Sequence, residues 1–337
     1  MSPPTVNSDV AEKPDVSASE YSSAGSLENP SGGSPENSSA ASEIERFGSG
    51  RRGDLSAWIR HAADPRGVVV CVHGLGDHSG HFEDFADAAT EDGWSVAAID
   101  LPGHGDSPGT PGKVSSYTDC LLDIEAFRRD VAQRTDDAPQ WLVGHSMGGN
   151  LSINYALRCE SLSSENASRR TAPVDPPVGL VLLSPMLLPP QTVTRPQIFA
   201  AWLTGHLVPW FRVHKRAKVR DLTADPAQAK RIAADPRRHS KLSIYLATQL
   251  LSQGRWAIDH ARELRLPTLL IYGEHDSLID RDAVGNTAIR IGRDATIVHW
   301  PGGRHDLLHD RDSDSVRQRI LTWMHSVHDL SADRLVA

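Results

Sequence analysis

The chain has 337 residues, a formal net charge of −8 and 39% hydrophobic residues, enough to bury a sizeable core in one large or two modest domains. Its acidic balance disfavours nucleic acid, which requires a basic face. The three scattered cysteines, Cys71, Cys120 and Cys159, suit neither a disulfide framework nor a zinc site. No stretch reaches the ~20 apolar residues of a membrane span. The N-terminus shows no basic and apolar run of a secretory signal, and the expectation is a soluble, cytoplasmic protein.

Residues 1–43 are rich in Ser, Pro, Glu, Asn and Gly. Such a segment buries too little to offset its ordering entropy and is expected to be a disordered tail. Order is predicted to begin near Ile44, and Leu55-Ser56-Ala57-Trp58-Ile59-Arg60 alternates as an early antiparallel strand does. Gly67-Val68-Val69-Val70-Cys71-Val72-His73-Gly74 is continuously apolar, the mark of a strand buried on both faces. A helix follows from His81 to Asp92, then a strand from Trp94 to Asp100, then a helix from Tyr117 to about Arg134. The apolar run at Trp141-Leu142-Val143 stops at Gly144-His145-Ser146-Met147-Gly148, and a helix continues over residues 150–157. Residues 158–177 read as a surface loop of unusual length. Strands recur at 178–184, 266–272 and 295–300, and a helix over 315–328 closes the pattern.

This alternation implies an α/β fold with a mostly parallel sheet and helices on both faces. The mostly helical pattern of residues 186–265 interrupts it between two strands. The interruption reads as a cap over the strand ends, where open α/β sheets bind ligands. The expected organisation is a tail (1–43), a core in two parts (44–185 and 266–337) and a helical cap (186–265).

The G-x-S-x-G pentapeptide between strand and helix asks for a tight turn with Ser146 at its apex, flanked by glycines because backbone there approaches backbone. A serine nucleophile needs a base, and the base an orienting acid, in the chain order Ser, Asp or Glu, His. Leu270-Ile271-Tyr272-Gly273-Glu274-His275-Asp276 leaves a strand through glycine into Asp276. Trp300-Pro301-Gly302-Gly303-Arg304-His305 does the same into His305. Glu274 and Asp280 are rival acids whose expected role is surface pairing with arginines. His309 is expected to pack or be solvated. His275 and His309 have carboxylates nearby, but without compact ligand spacing no metal is expected. The oxyanion needs backbone donors; the best candidates are the amides of Met147, after the serine, and of Leu75, just past His73-Gly74.

Three segments together resemble the monoacylglycerol lipase and lysophospholipase-like branch of the α/β-hydrolases. They are His73-Gly74-Leu75-Gly76-Asp77-His78-Ser79-Gly80, Asp100-Leu101-Pro102-Gly103-His104-Gly105-Asp106-Ser107 and Gly144-His145-Ser146-Met147-Gly148-Gly149. The segment His305-Asp306-Leu307-Leu308-His309, and Asp235-Pro236 with a helix over Lys241 to Leu251 in the cap, are similar too. The resemblance covers about residues 44–328. It implies the α/β-hydrolase fold, Ser146, Asp276 and His305 as catalytic residues, and Leu75 and Met147 as oxyanion donors. Asp77 stands where the branch more often has Glu.

Ile198, Phe199, Trp202, Leu203, His206, Leu207, Trp210 and Phe211 mark an apolar face at helical spacing, followed by the basic Arg212, Lys215, Arg216, Lys218 and Arg220. Phe199, Trp202, Leu203, Leu207 and Trp210 are expected to line an acyl-chain pocket, and the cap is a candidate for peripheral membrane contact. The expected reaction is acyl transfer from a lipid ester to water with no cofactor. A carboxylesterase, peptidase or acyltransferase on the same elbow is the alternative, with a non-catalytic receptor further off.

Overall fold

A computed structural model describes residues 43–162, 174–194, 196–197, 200, 203, 211–214 and 217–336. The expected tail, Glu43 apart, lies outside them. In chain order the strands are β1 (Ile44–Ser49), β2 (Leu55–Arg60), β3 (Val68–Val72), β4 (Ser95–Ile99), β5 (Gln140–His145), β6 (Gly179–Leu183), β7 (Arg212–His214), β8 (Lys241–Ser243), β9 (Thr268–Gly273) and β10 (Ala295–Trp300). The helices include α1 (Glu83–Glu91), α2 (Tyr117–Arg134), α3 (Met147–Ala156), α4 (Val219–Leu222), α5 (Pro226–Ala234), α6 (Ile244–His260), α7 (Arg281–Ile291) and α8 (Ser313–Val336).

Eight strands form one sheet in the order β1-β2-β4-β3-β5-β6-β9-β10. β2 runs antiparallel to β1 and β4, and β4, β3, β5, β6, β9 and β10 are mutually parallel. The pleat sorts the apolar runs. Val68, Val70, Val72 and Leu142 join α2, α3, α6 and α7 in one core, while Val69, Cys71, Trp141 and Val143 join α1 and α8 in the other. Strands buried on both faces must be apolar without alternation, and β3 is fully buried throughout. Phe82 and Phe85 are also buried on the second face, each worth about 1.5–3 kcal/mol relative to exposure.

Local signals start the helices where the chain needs them. Ser116 caps α2 by accepting from the Asp119 amide (2.9 Å), and Asp225 caps α5 ahead of Pro226 at the first turn. Buried Asn150 ties α3 to the cap. Its Nδ2 donates to Met186 O (2.8 Å) and Leu250 O (3.0 Å), and its Oδ1 accepts from Tyr117 Oη (2.7 Å). Strand order reverses between β3 and β5, the switch point at which the carboxyl ends of a parallel sheet leave a crevice.

The structure differs from the sequence reading at three places. The cap contains a two-stranded antiparallel ribbon, β7 with β8, pairing Arg212 with Ser243 and His214 with Lys241. The helix read as Lys241 to Leu251 therefore starts at Ile244, capped by Ser243, and runs on to His260. The loop read from Arg158 begins with a helical turn at residues 159–162. Its far end is fixed by the buried Arg128, whose Nη2 donates to Asp175 O (2.6 Å). Among the described residues no helix is long and apolar enough to cross a membrane.

Candidate active site

β5 delivers Ser146 at its carboxyl end, and α3 starts at the next residue. Ser146 has φ 53° and ψ −111°, a conformation that side-chain-bearing residues adopt at a cost of about 1–3 kcal/mol. The flanking glycines make the turn possible: a Cβ on Gly144 would lie 2.4 Å from Gly148 O, and one on Gly148 would lie 2.0 Å from Val72 O. The turn leaves Ser146 half-buried between buried neighbours, its side chain lifted clear of the sheet.

Asp276 follows β9 and His305 follows β10, and the parallel register brings both loops to the same sheet edge as Ser146. Ser146 Oγ and His305 Nε2 are 2.9 Å apart, and His305 Nδ1 and Asp276 Oδ2 are 2.8 Å apart. With Nδ1–H donating to the carboxylate, Nε2 is left to accept the serine proton. Asp276 Oδ1 accepts from the Leu278 amide (2.9 Å), which fixes the carboxylate plane. Burial would raise the Asp276 pKa, but His305 and its hydrogen bond outweigh that and hold it below the ordinary carboxylate range. Burial would likewise lower His305, and Asp276 overrides it, so the imidazole sits above its ordinary value.

The rival acids take other work. Glu274 accepts from the Gly302 amide (2.9 Å), and Asp280 caps α7 by accepting from Ala283 N (3.1 Å). Among the described residues neither carboxylate forms a direct ion pair with an arginine, although the Arg281 charge acts on Glu274. His275 is exposed, and its backbone amide donates to Gly303 O (2.8 Å). His309 is buried, with Nδ1 3.1 Å from Asp306 Oδ1.

The loop after β3 holds Leu75 beside this group. His73 Nδ1–H donates to Gly74 O (2.7 Å), and its Nε2 accepts from Leu101 N (3.0 Å), which settles the tautomer. Asp100 reaches back and accepts from the Ser79 amide (2.6 Å) and the Asp106 amide (2.8 Å). The two glycine-rich motifs after β3 and β4 thus brace each other. Among the described residues the Leu75 amide meets no backbone acceptor. The Met147 amide, first in α3, has none within its helix.

From the other side the cap grips the same loop. His239 N donates to Gly76 O (3.0 Å), His78 Nε2 lies 2.6 Å from Asp235 Oδ2, and Arg238 Nη1 donates to Asp77 Oδ1 (2.7 Å). Gly76, at φ +72°, has no room for a Cβ, which would lie 2.0 Å from His239 O. None of these cap contacts was foreseen from the sequence.

A cavity of about 940 Å³ opens over Ser146 and His305, walled mostly by apolar side chains including Leu75, Met147, Met186, Val213, Leu242 and Leu250. Such a volume is at the upper end of small-molecule sites. Of the five cap residues expected in its wall, Phe199, Trp202, Leu207 and Trp210 lie outside the described residues. Leu203 is 44% exposed and is not part of the wall. Wall residues the sequence reading missed come from α4, α5, β7, β8, α6 and the loops between them, and the two short strands carry no periodic signal.

This geometry has relatives. A monoacylglycerol lipase of Mycolicibacterium smegmatis is 26% identical over 77% of this chain and 89% of its own length. An uncharacterized abhydrolase domain-containing protein of Dictyostelium discoideum is also 26% identical over 77% of this chain, which spans only 26% of that longer protein. The crystal structure of a Paleococcus ferrophilus monoacylglycerol lipase superposes with a TM-score of 0.69 at 26% identity, covering 81% of this chain and 99% of that one. The sequence profile of the serine aminopeptidase S33 family matches residues 63–312. With that match over most of its length and its eight-stranded mostly parallel sheet, the chain belongs to the serine aminopeptidase S33 family, as an α/β-hydrolase of the monoacylglycerol lipase branch.

Proposed function

We propose that the protein hydrolyses carboxylic esters of lipids, monoacylglycerols or lysophospholipids, through an acyl-enzyme on Ser146. The observation that carries this reading is the hydrogen-bonded run from Asp276 through His305 to Ser146 at the floor of an apolar cavity. The named activities of the M. smegmatis and P. ferrophilus relatives support the substrate class.

In this mechanism His305 Nε2 takes the Ser146 proton as Oγ attacks the ester carbonyl. The oxyanion is held by the Leu75 and Met147 amides, an interaction worth about 3–4 kcal/mol per donor in the transition state. The Asp276 carboxylate stabilises the imidazolium. His305 then gives its proton to the departing alcohol, and a water molecule repeats the sequence on the acyl-enzyme, releasing the acid. No cofactor enters.

The competing reading is peptide hydrolysis. Binding an α-ammonium would need a free carboxylate in the cavity wall. Among the described wall residues Asp77 and Asp235 are engaged by Arg238 and His78, and Asp221 lies 3.9 Å from the Arg220 guanidinium. A panel of monoacylglycerols, lysophospholipids, short-chain esters and aminoacyl amides separates the two. The expected result is a kcat/KM for long-chain lipid esters at least about tenfold above that for amides, since each buried methylene adds about 0.8 kcal/mol. Faster turnover of aminoacyl amides would refute the lipid reading. The cap bears the exposed Phe211, and peripheral contact through it predicts that Phe211→Asp slows hydrolysis of vesicle-borne substrate only. Equal rates on vesicles would remove that contact.

A further inference from the structure

Behind the triad lies a buried chain of charged groups that the mechanism above does not use. Asp77, His81, Asp306 and His309 are each at most 5% exposed. His81 Nδ1 is 3.0 Å from Asp77 Oδ2, and its Nε2 is 3.6 Å from Asp306 Oδ1. Neither nitrogen is aligned for a hydrogen bond, so the contacts act through charge. Asp306 also takes His309 Nδ1 (3.1 Å), and Asp77 takes Arg238 from the cap (2.7 Å). Burial works against both carboxylates. Arg238 and His81 overcome it at Asp77, His81 and His309 overcome it at Asp306, and both stay well on the ionised side.

What these groups join gives them meaning. Asp77 closes the turn that presents Leu75, its amide donating to Gly74 O (3.3 Å). Asp306 is the residue after His305. The His81 ring stacks on His145 (centroids 4.6 Å, planes 10° apart), and His145 in turn faces His305 at 5.2 Å. Burial and the neighbouring His81 push His145 down to about 3, so it is a neutral spacer. One ring therefore bridges the loop carrying the Leu75 amide and the loop carrying the base, with Arg238 extending the link into the cap.

We propose that His81 is a positioning residue that locks the oxyanion loop to the catalytic-histidine loop through Asp77 and Asp306. The inference rests on the roles proposed above for Leu75 and His305. A metal centre is the other use such a cluster suggests, since Asp77, His81 and His145, and likewise His81, Asp306 and His309, bring ligand atoms within 4.8 Å of one another. The near-parallel His81 and His145 rings keep their lone pairs in separate planes, however, Arg238 already supplies the cation at Asp77, and His309 Nδ1 already bonds the Asp306 oxygen that His81 faces.

Misplacing reacting groups by about 1 Å can cost about 100-fold in rate. His81→Gln, which cannot bridge two carboxylates by charge, is expected to lower kcat for a p-nitrophenyl ester by about 10- to 100-fold, with KM within about threefold. His81→Arg, whose fork reaches both carboxylates, should restore kcat to within about threefold. Rates are expressed per serine titrated by a fluorophosphonate, so partial unfolding does not count as a slow step. A purely structural role would lower Tm and leave kcat per titrated site unchanged, and that outcome overturns the proposal, as does an Arg variant no faster than the Gln variant. Should His81→Gln fail to fold, Arg238→Gln tests the same link from the cap, with the same loss of kcat expected and an unchanged kcat counting against it. Activity lost to a chelator and restored by zinc would reassign the cluster and also overturn it. Wild-type protein whose Ser146 takes no fluorophosphonate would instead sink the underlying mechanism.

Discussion

Ser146→Ala should lower kcat for lipid-ester hydrolysis by about ten-thousand- to million-fold, with the fold intact. The residue stands alone at the apex of the elbow, its oxygen 2.9 Å from His305 Nε2. Removing the oxygen removes the proposed covalent route and leaves the proposed oxyanion donors, the Leu75 and Met147 amides, whose electrostatic assistance would give a small residual rate. The φ of 53° at this position strains alanine as it strains serine, so stability should change little. Circular dichroism and a Tm within a few degrees of wild type would accompany the loss. A variant retaining more than about a hundredth of the wild-type rate would mean that another group attacks the ester.

Asp276→Asn should cost about ten-thousand-fold in kcat. The amide preserves shape, but its NH2 favours the His305 tautomer that carries the proton on Nε2, where the serine proton must go. It also removes the charge that lifts the His305 pKa. In the wild type, burial would depress that pKa, and the Asp276 carboxylate 2.8 Å away overrides it. The base is active when neutral, so wild-type kcat/KM should fall as pH drops through a value above the ordinary histidine 6.5. In Asp276→Asn the burial term is left with less opposition, and the acid limb should move to lower pH. A pH profile of kcat/KM for both proteins checks the sign. An acid limb that stays in place would show that Asp276 does not govern His305.

Much of the proposed site was legible in the chain because each side chain of the proposed triad lies in the loop after a parallel strand. β5 and β9 are continuous apolar runs, and glycine lies at or just past the end of each strand that precedes Ser146, Asp276 and His305, so strand order gathers the three at one edge. The Leu75 loop was legible for the same reason. Cap contacts had no comparable signal. β7 and β8 are three residues each, too short for alternation to register, and Ser243 reads equally as strand end or helix cap. Arg238 and Asp77 are 161 residues apart, and only the seating of the cap on the oxyanion loop makes them partners. His81 and His309 each looked like an ordinary polar residue on or near a helix. The charge network appears only when the loops after β3 and β10 meet. Glu274 and Asp280 illustrate the limit in the other direction: the sequence suggested arginine partners, and among the described residues backbone amides are the hydrogen-bond donors to both carboxylates.

The central claim is that the reaction passes through an ester of Ser146. The most direct measurement is to quench the enzyme in acid during turnover of a slowly deacylated long-chain ester and map the adduct by peptide mass spectrometry. One acyl group is expected, on the peptide containing Ser146, absent from Ser146→Ala and accumulating at one per active site. An adduct on a different residue, or steady turnover with none at all, would contradict it.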